Sequence, residues 1–308
     1  MLNVSNLSKA FGHVIAVDRI SFNISAGEIF GFLGPNGAGK TTTINMICGL
    51  LKQDNGEIEL DGQRFSPDRA TLRRKLGVVP QEIALYEELN ALENLKFWGQ
   101  LYGLKGKPLL NRINELLELS GLASRAKDRV KTYSGGMKRR LNMMAGLIHQ
   151  PLLLLLDEPT VGIDPQARHN ILDSVKEIAA SGTTILYTTH YLDEVEELCD
   201  RLAIIDQGRL LAMGTEMEIK KTVGENSIIR ITGDIKKEAI DNLVKQYTGL
   251  QVESVKEREA LLSIPSGNST GQVIESIIQS EISVENLQIK EPSLDSVFIK
   301  LTGKELRD

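Results

Sequence analysis

At 308 residues, with 41% apolar and 25% charged residues, the chain has the makeup of a globular protein with room for one large domain, or for a large and a small one. A formal charge of −5 and a pI near 5.6 argue against a general affinity for nucleic acid. The longest strongly apolar run, Leu152 to Leu156, falls far short of the roughly 20 residues that cross a bilayer. The opening MLNVSNLSKAFG lacks the basic start and apolar stretch of a secretory signal, so a cytosolic protein is expected.

In chain order, the first elements are short alternating segments. Ile20 to Ile24 and Glu57 to Leu60 predict an antiparallel β-subdomain, with Asn55-Gly56 and Asp61-Gly62 as turn signals around the second. Between them, Glu28 to Leu33 runs as a strand into Gly34-Pro35-Asn36-Gly37-Ala38-Gly39-Lys40-Thr41, followed by the helical stripe Ile44, Ile47, Cys48, Leu51. Strand, glycine loop, helix is the order of a phosphate-binding α/β core. The octapeptide satisfies G-x-x-x-x-G-K-[ST] in full. Its glycines let backbone N–H groups approach phosphates, and the helix behind aims its positive end at them. Lys40 then reaches the β- and γ-phosphates, and the Thr41 hydroxyl ligates Mg²⁺. The plain alternative, a glycine-rich turn, is disfavoured by the flanking strand and helix.

From Asn90 to about Gln150 helix formers dominate, led by NALENLKFWGQLYGL and LLNRINELLEL, which predicts a helical insert. Near its end Tyr133-Ser134-Gly135-Gly136-Met137 precedes the stripe Met137, Leu141, Met144, Ile148. Ser134 is a good N-cap, and two glycines leave the first N–H groups bare. Taken alone the feature reads as a structural cap; with a ligand it is an anion site at a helix start. Strands and helices then alternate: Leu152 to Leu156, a helix from Gln166 to Ala180, strand Thr184 to Thr189, a helix from Leu192 to Cys199 and strand Arg201 to Asp206. This is a parallel-sheet pattern. The leucine run ends in Asp157-Glu158. A buried parallel strand opens into the ligand crevice at its carboxyl end, which places Asp157 to hold Mg²⁺ through its water shell. Glu158 is placed to orient and deprotonate an attacking water. Without the upstream P-loop, such acids would as readily mark a strand end meeting solvent. Cys48 and Cys199 fall on apolar helical stripes, and no two of the four histidines have the spacing of a zinc site.

The chain after Gly224-Glu225-Asn226 reads as a second unit, dividing residues 1–224 from 225–308. Segments 227–232, 251–256, 260–264 and 283–289 have strand character. Helices with Ile240, Leu243, Val244, Tyr247 and with Val273, Ile274, Ile277, Ile278 follow the first and third. The order β-α-β-β-α-β matches a small α+β, ferredoxin-like module; a tail of helices packed on the main domain is the alternative. A last helix is expected after Ser293 as cap.

A P-loop, a bare helix start and an acid pair thus stand in fixed order. Gln81 lies between the first two, in Val78-Val79-Pro80-Gln81. Gly162-Ile163-Asp164 and then His190 follow the acids. Over residues 1 to about 220 this set resembles the ATP-binding cassette (ABC) transporter ATPases. The resemblance implies a P-loop NTPase fold and an ATP-hydrolysing subunit with Mg²⁺ as cofactor. It also implies that Gly34, Pro35, Asn36, Gly37, Ala38, Gly39, Lys40, Thr41 and Thr42 hold nucleotide, and that Thr41, Gln81 and Asp157 hold the metal. By the same token Gln81 senses Mg²⁺ and touches the membrane partner, while Ser134, Gly135 and Gly136 contact ATP bound to the other subunit. Asp164 lies at the dimer seam, and Glu158 acts with His190 on the γ-phosphate. Each residue also has a plain reading: Gln81 a loop amide, Asp164 a helix cap before Pro165, His190 a strand-end histidine. Phe11 stands where the family usually has an adenine-stacking tyrosine; a core position is its alternative. Tyr133 replaces the usual leucine and Met137 the usual glutamine of the signature. Lys138-Arg139-Arg140 reads as a solvated helix face or as a contact to a partner or lipid head groups.

The segment Glu291 to Arg307 resembles the end of the branch that holds cytosolic subunits of bacterial drug-, antibiotic- and sodium-type exporters, whose permeases are separate chains. The implied assembly is a homodimer, with a heterodimer with a related subunit as the alternative, on integral-membrane permease subunits at the inner face of the cell membrane, with no nucleic-acid partner. The rivals are a soluble ABC ATPase acting on nucleic acid or ribosomes and a regulatory cassette of low turnover. The first lacks support in tandem cassettes or coiled-coil inserts; the second is disfavoured by the intact Glu158 and His190.

Overall fold

The computed structural model describes residues 1–64, 70–222, 227–235, 237–247, 250–264, 270–280, 282–290 and 293–303. Gly224-Glu225-Asn226 and both ends of the Glu291 to Arg307 segment lie outside them. The chain divides into two compact units, one from Met1 to Thr215 and a second beginning at Glu216.

Period-two alternation at the start of the chain builds an antiparallel sheet. β1 (Leu2–Phe11) and β2 (Val14–Ile24) pair as a hairpin, with Phe11 opposite Val14 and Ala10 opposite Ile15. The chain leaves through β3 (Ile29–Leu33) and α1 (Lys40–Ile47), then returns as β4 (Asn55–Leu60) and β5 (Gln63–Arg64), giving the order β2-β1-β4-β5. Asn55-Gly56, expected as a turn, lies inside β4. Gly56 takes φ 91° where the β1–β4 register slips between Ser5 and Ser8, a bulge instead of a loop.

After α2 (Ala70–Arg73) and β6 (Leu76–Val79) come the helices of the insert: α3 (Ala91–Leu101), α4 (Gly106–Leu119) and α5 (Gly135–Leu147). A reciprocal capping box starts α3: Glu93 N–H donates to Asn90 Oδ1 and Asn90 N–H to Glu93 Oε2, both at 2.9 Å. The alternating segment follows as β7 (Leu153–Asp157), α6 (Pro165–Ala180), β8 (Thr184–Thr189), α7 (Leu192–Leu198), β9 (Arg201–Asp206) and β10 (Arg209–Gly214). They join β3 and β6 in a sheet of order β10-β9-β3-β8-β7-β6, parallel except for β10. The central strands β3, β7 and β8 are buried along their whole length. Leu153 to Leu156 are wholly buried, each worth on the order of 2 kcal/mol of transfer free energy. The strand therefore starts one residue later than the leucine run and takes in Asp157. Cys48 caps the C-terminus of α1 and is buried, while Leu51 of its expected stripe lies beyond the helix.

The second unit runs α8 (Glu216–Thr222), β11 (Ser227–Asp234), α9 (Lys237–Gln246), β12 (Gln251–Lys256), β13 (Glu259–Ile264), α10 (Thr270–Gln279), β14 (Ser283–Lys290) and α11 (Leu294–Thr302). Its sheet is antiparallel in the order β12-β13-β11-β14. Ile229, Ile231 and Leu262 from the strands share a core with Ile240 and Leu243 of α9 and Val273 and Ile277 of α10. This is the split β-α-β arrangement of a ferredoxin-like module, and it displaces the alternative of a helical tail. Ser293 caps α11, accepting from Ser296 N–H at 3.2 Å. Ile278, placed by spacing on the buried face of α10, is two-thirds exposed. Among the described residues, no helix is long and apolar enough to cross a membrane.

Candidate active site

Parallel pairing brings the singled-out segments to one edge of the central sheet. Leu33, the last residue of β3, is opposite Thr189; Asp157 is opposite Thr188; Val79 is opposite Leu156. The Gly34 N–H donates to the Thr189 carbonyl at 3.2 Å. The glycine loop, the two acids, His190 and Pro80-Gln81 therefore leave adjacent strands at their carboxyl ends, where open α/β sheets bind ligands.

Four charged or titratable side chains meet there with little solvent. Lys40, Asp157, Glu158 and His190 are all buried, His190 the most open at 8% exposed. Lys40 Nζ lies 2.9 Å from Glu158 Oε1 and donates to the carbonyls of Gly34 (2.6 Å) and Pro35 (3.0 Å). His190 Nδ1 is 3.4 Å from Glu158 Oε2 but has no hydrogen-bond partner among the described residues. Glu158 adopts φ 45°, a left-handed conformation that a side chain with a Cβ resists. Thr188 holds it there: the Glu158 N–H donates to the Thr188 carbonyl (3.2 Å) and hydroxyl (3.0 Å). The Thr188 hydroxyl also donates to Asp157 Oδ1 at 2.7 Å. Burial pushes the Asp157 carboxyl above its ordinary range, hydrogen bonds from Thr188 and Thr41 oppose this, and the neighbouring Glu158 adds to it. Thr188 was missed in sequence; its only signal was a hydroxyl among the buried positions of Thr184 to Thr189.

The loop before α1 is a tight backbone cradle. A Cβ on Gly39, which has φ 107°, would lie 2.5 Å from the Ala16 carbonyl of β2, so only glycine fits. Among the described residues no side chain caps α1, and the N–H groups of a helix's first turn have no intrahelical acceptor, which suits them to phosphate oxygens. The hairpin passing over this loop ends in an apolar tip: Phe11, Val14 and Ile15 are each at least half exposed. Phe11 is thus not a core residue. Beside the cradle a cleft of about 670 Å³ lies between α1 and the helical insert, with Thr41, Gln81, Trp98, Asn142 and Asp157 among its walls. The Gln81 side chain is exposed.

The α5 start stands apart. Ser134 and Gly135 are exposed, and Ser134 Oγ accepts from Met137 N–H at 3.3 Å, which leaves the Gly135 and Gly136 N–H groups without an intrahelical acceptor. Gly136 also has a packing role, since a Cβ there would sit 2.6 Å from that of Ala167 on α6. Tyr133 is buried with its hydroxyl donating to the Arg125 carbonyl at 2.7 Å, so the exchange for leucine is satisfied internally. Exposed Asp164 caps α6, accepting from Ala167 N–H at 3.0 Å. Lys138-Arg139-Arg140 is not a solvated face. Lys138 pairs with Glu87, the buried Arg139 donates to the Gln81 carbonyl, and Arg140 donates to the Ser120 carbonyl. Three basic residues in a row span most of a helical turn, so some must face inward.

Fold and site together define a P-loop ATPase with a helical insert. The ABC transporter family profile matches residues 17–161, and that of the C-terminal domain of DrrA1-3-like ATP-binding proteins matches residues 214–302. The linearmycin resistance ATP-binding protein LnrL of Bacillus subtilis (strain 168) is 45% identical over 311 residues, covering 100% of both chains. The daunorubicin/doxorubicin resistance ATP-binding protein DrrA of Streptomyces peucetius is 37% identical over 310 residues, 100% of this chain and 94% of that protein. A dimeric ATP-binding cassette, solved in a post-hydrolysis state with ADP and Pi, superposes with a TM-score of 0.63 at 27% identity, over 70% of this chain and 98% of that one. The chain belongs to the ABC transporter family, as an ATP-binding subunit of its drug- and antibiotic-exporter branch. It binds and hydrolyses ATP to energise transport.

Proposed function

We propose that two copies of this chain close around two ATP molecules on a separate integral-membrane permease, at the inner face of the cell membrane, and drive export. The observation that carries this reading is the split in the site. Lys40, Asp157, Glu158 and His190 are gathered and buried within one chain, whereas the helix start at Ser134 and Gly135 is exposed, with the Gly135 and Gly136 N–H groups unspent by the helix. A second copy completes the site by presenting that helix tip, with its partial positive charge, to the γ-phosphate. ATP then favours the closed pair, because only that state supplies both sets of phosphate contacts.

Within one subunit, Phe11 stacks on adenine, the 34–42 cradle takes the phosphates, and Lys40 exchanges Glu158 and two carbonyls for the β- and γ-phosphate oxygens. That exchange frees Glu158 to orient and deprotonate the attacking water, with His190 against the γ-phosphate. The Thr41 hydroxyl and Asp157 carboxylate line the same cleft and are the hard oxygen donors that Mg²⁺ takes, with Gln81 at the rim. Bound there, Mg²⁺ would neutralise charge on the phosphates. Asp164 lies at the subunit seam. The cleft beside Gln81 and the helical insert passes the motion to the permease. The unit from Met1 to Thr215 serves as the ATP-binding domain and the unit beginning at Glu216 as an accessory domain, a boundary some residues earlier than the glycine-bearing segment at 224–226 suggests. The names of the relatives, both resistance proteins, support export.

Light scattering of the purified Glu158→Gln chain with MgATP tests this reading. A dimer that forms with ATP and dissociates with ADP is expected, and a monomer at every nucleotide concentration would refute it.

A further inference from the structure

We propose that Arg168 is a positioning residue for His190, tying the first turns of α6 to the loop that carries the histidine. The inference rests on the γ-phosphate role proposed for His190. Its buried Nδ1 comes within 3.4 Å of Glu158 Oε2 but forms no hydrogen bond among the described residues. With no hydrogen bond to fix that nitrogen, the ring's direction depends on what its chain neighbours are fastened to.

Those neighbours converge on one buried ion pair. Glu194 of α7 is fully buried, an unfavourable place for a carboxylate unless it is paired and fully hydrogen-bonded. Arg168 Nε donates to its Oε1 at 2.7 Å. Thr189 Oγ1, immediately before His190, donates to Oε2 at 2.6 Å, and the Tyr187 hydroxyl donates to the same oxygen at 2.9 Å. The Tyr191 N–H, immediately after His190, donates to Thr189 Oγ1 at 3.0 Å. The guanidinium also lies over the Tyr191 ring, 4.2 Å from its centroid, and that centroid is 4.2 Å from the centre of the His190 ring. Arg168 Nη2 closes the arrangement on Asp193 Oδ1 at 2.8 Å. Both chain neighbours of His190 are thus held by the Arg168–Glu194 pair. A planar guanidinium can bond in its plane and stack on its face at once.

Arg168 stands one turn beyond Asp164, its N–H donating to the Asp164 carbonyl at 2.9 Å. The cap at the proposed subunit seam and the clamp on the histidine loop therefore belong to the same rigid stretch of helix. A shift of that stretch, as a second copy docks on it, moves Tyr191 and with it the imidazole.

The test is steady-state ATPase kinetics of the full-length chain carrying Arg168→Ala, Tyr191→Leu or His190→Ala, and of each of the first two combined with His190→Ala. Arg168→Ala and Tyr191→Leu are expected to lower kcat by up to about 100-fold, as misplacing a catalytic group does, while KM for ATP holds. Neither should slow the His190→Ala enzyme further. Tyr191→Leu leaves the buried pair intact, so its loss of rate cannot come from a stranded carboxylate. Effects that multiply fully with His190→Ala, or unchanged kcat in both single variants, would overturn the inference. Wild-type kcat in His190→Ala alone would instead remove the role proposed for His190, and the inference with it.

Discussion

The two halves of the proposed nucleotide site differ in how they are built. The cradle half draws on β3, β7 and β8, and its charged groups are buried against one another: Lys40 on Glu158, Asp157 on Thr188. The tip half is a helix start on the insert, with Ser134 and Gly135 exposed. A buried half is preorganised, since its groups hold their geometry without ligand. An exposed half gains its meaning only from what docks on it. On the proposed pairing, the division accounts for a chain that binds ATP alone and turns it over efficiently only with a second copy.

The contrast can be broken most strongly at Glu158. Glu158→Gln should keep ATP binding but lower turnover by roughly 10²–10⁴, the usual worth of a positioned general base; near-normal steady-state hydrolysis would take Glu158 out of that role. Ser134→Arg comes next. Placed on the exposed tip, it should abolish the ATP-dependent dimer in light scattering while ATP still binds the monomer, and an unchanged dimer would erase the distinction between the halves. Smaller effects separate the two signature glycines. Gly136→Ala should cost about 1–3 kcal/mol in denaturant unfolding, the usual penalty of overpacking, because its Cβ would meet Ala167. Gly135→Ala, on the exposed side, should stay within about 0.5 kcal/mol. Equal costs would mean that the tip is not split between packing and binding.

The smallest expected effect lies outside both halves. His149 stacks on Tyr102 at 3.6 Å and bonds the Leu76 carbonyl at 2.9 Å, and burial pushes its pKa below the ordinary 6.5. As pH falls below that value the unfolded chain takes up a proton that the folded chain resists, so stability declines. Thermal melts of His149→Gln should show a shallower acid slope at unchanged ATPase activity; an identical slope would exclude His149 as its source.

Much of this molecule was legible before any fold was known, for local reasons. The P-loop needs consecutive residues in a fixed spacing, and so do the all-apolar strand running into Asp157 and the Ser134 and Ser293 caps. Each is a property of a few neighbouring side chains and their backbone. Tertiary structure decided which of these pieces meet. Pairing of β3 with β8 and of β7 with β8 sets His190 beside Glu158 and makes Thr188 the brace of both acids, while pairing of β1 with β4 turns the turn signal at Asn55-Gly56 into a bulge. The same holds for Lys138-Arg139-Arg140, which composition marks as surface and which packing turns onto Glu87 and the Gln81 and Ser120 carbonyls. Sequence spacing reports the period of one helix or strand. It carries no record of which neighbour that element is laid against, and that neighbour decides whether a charge faces water, a carbonyl or a phosphate.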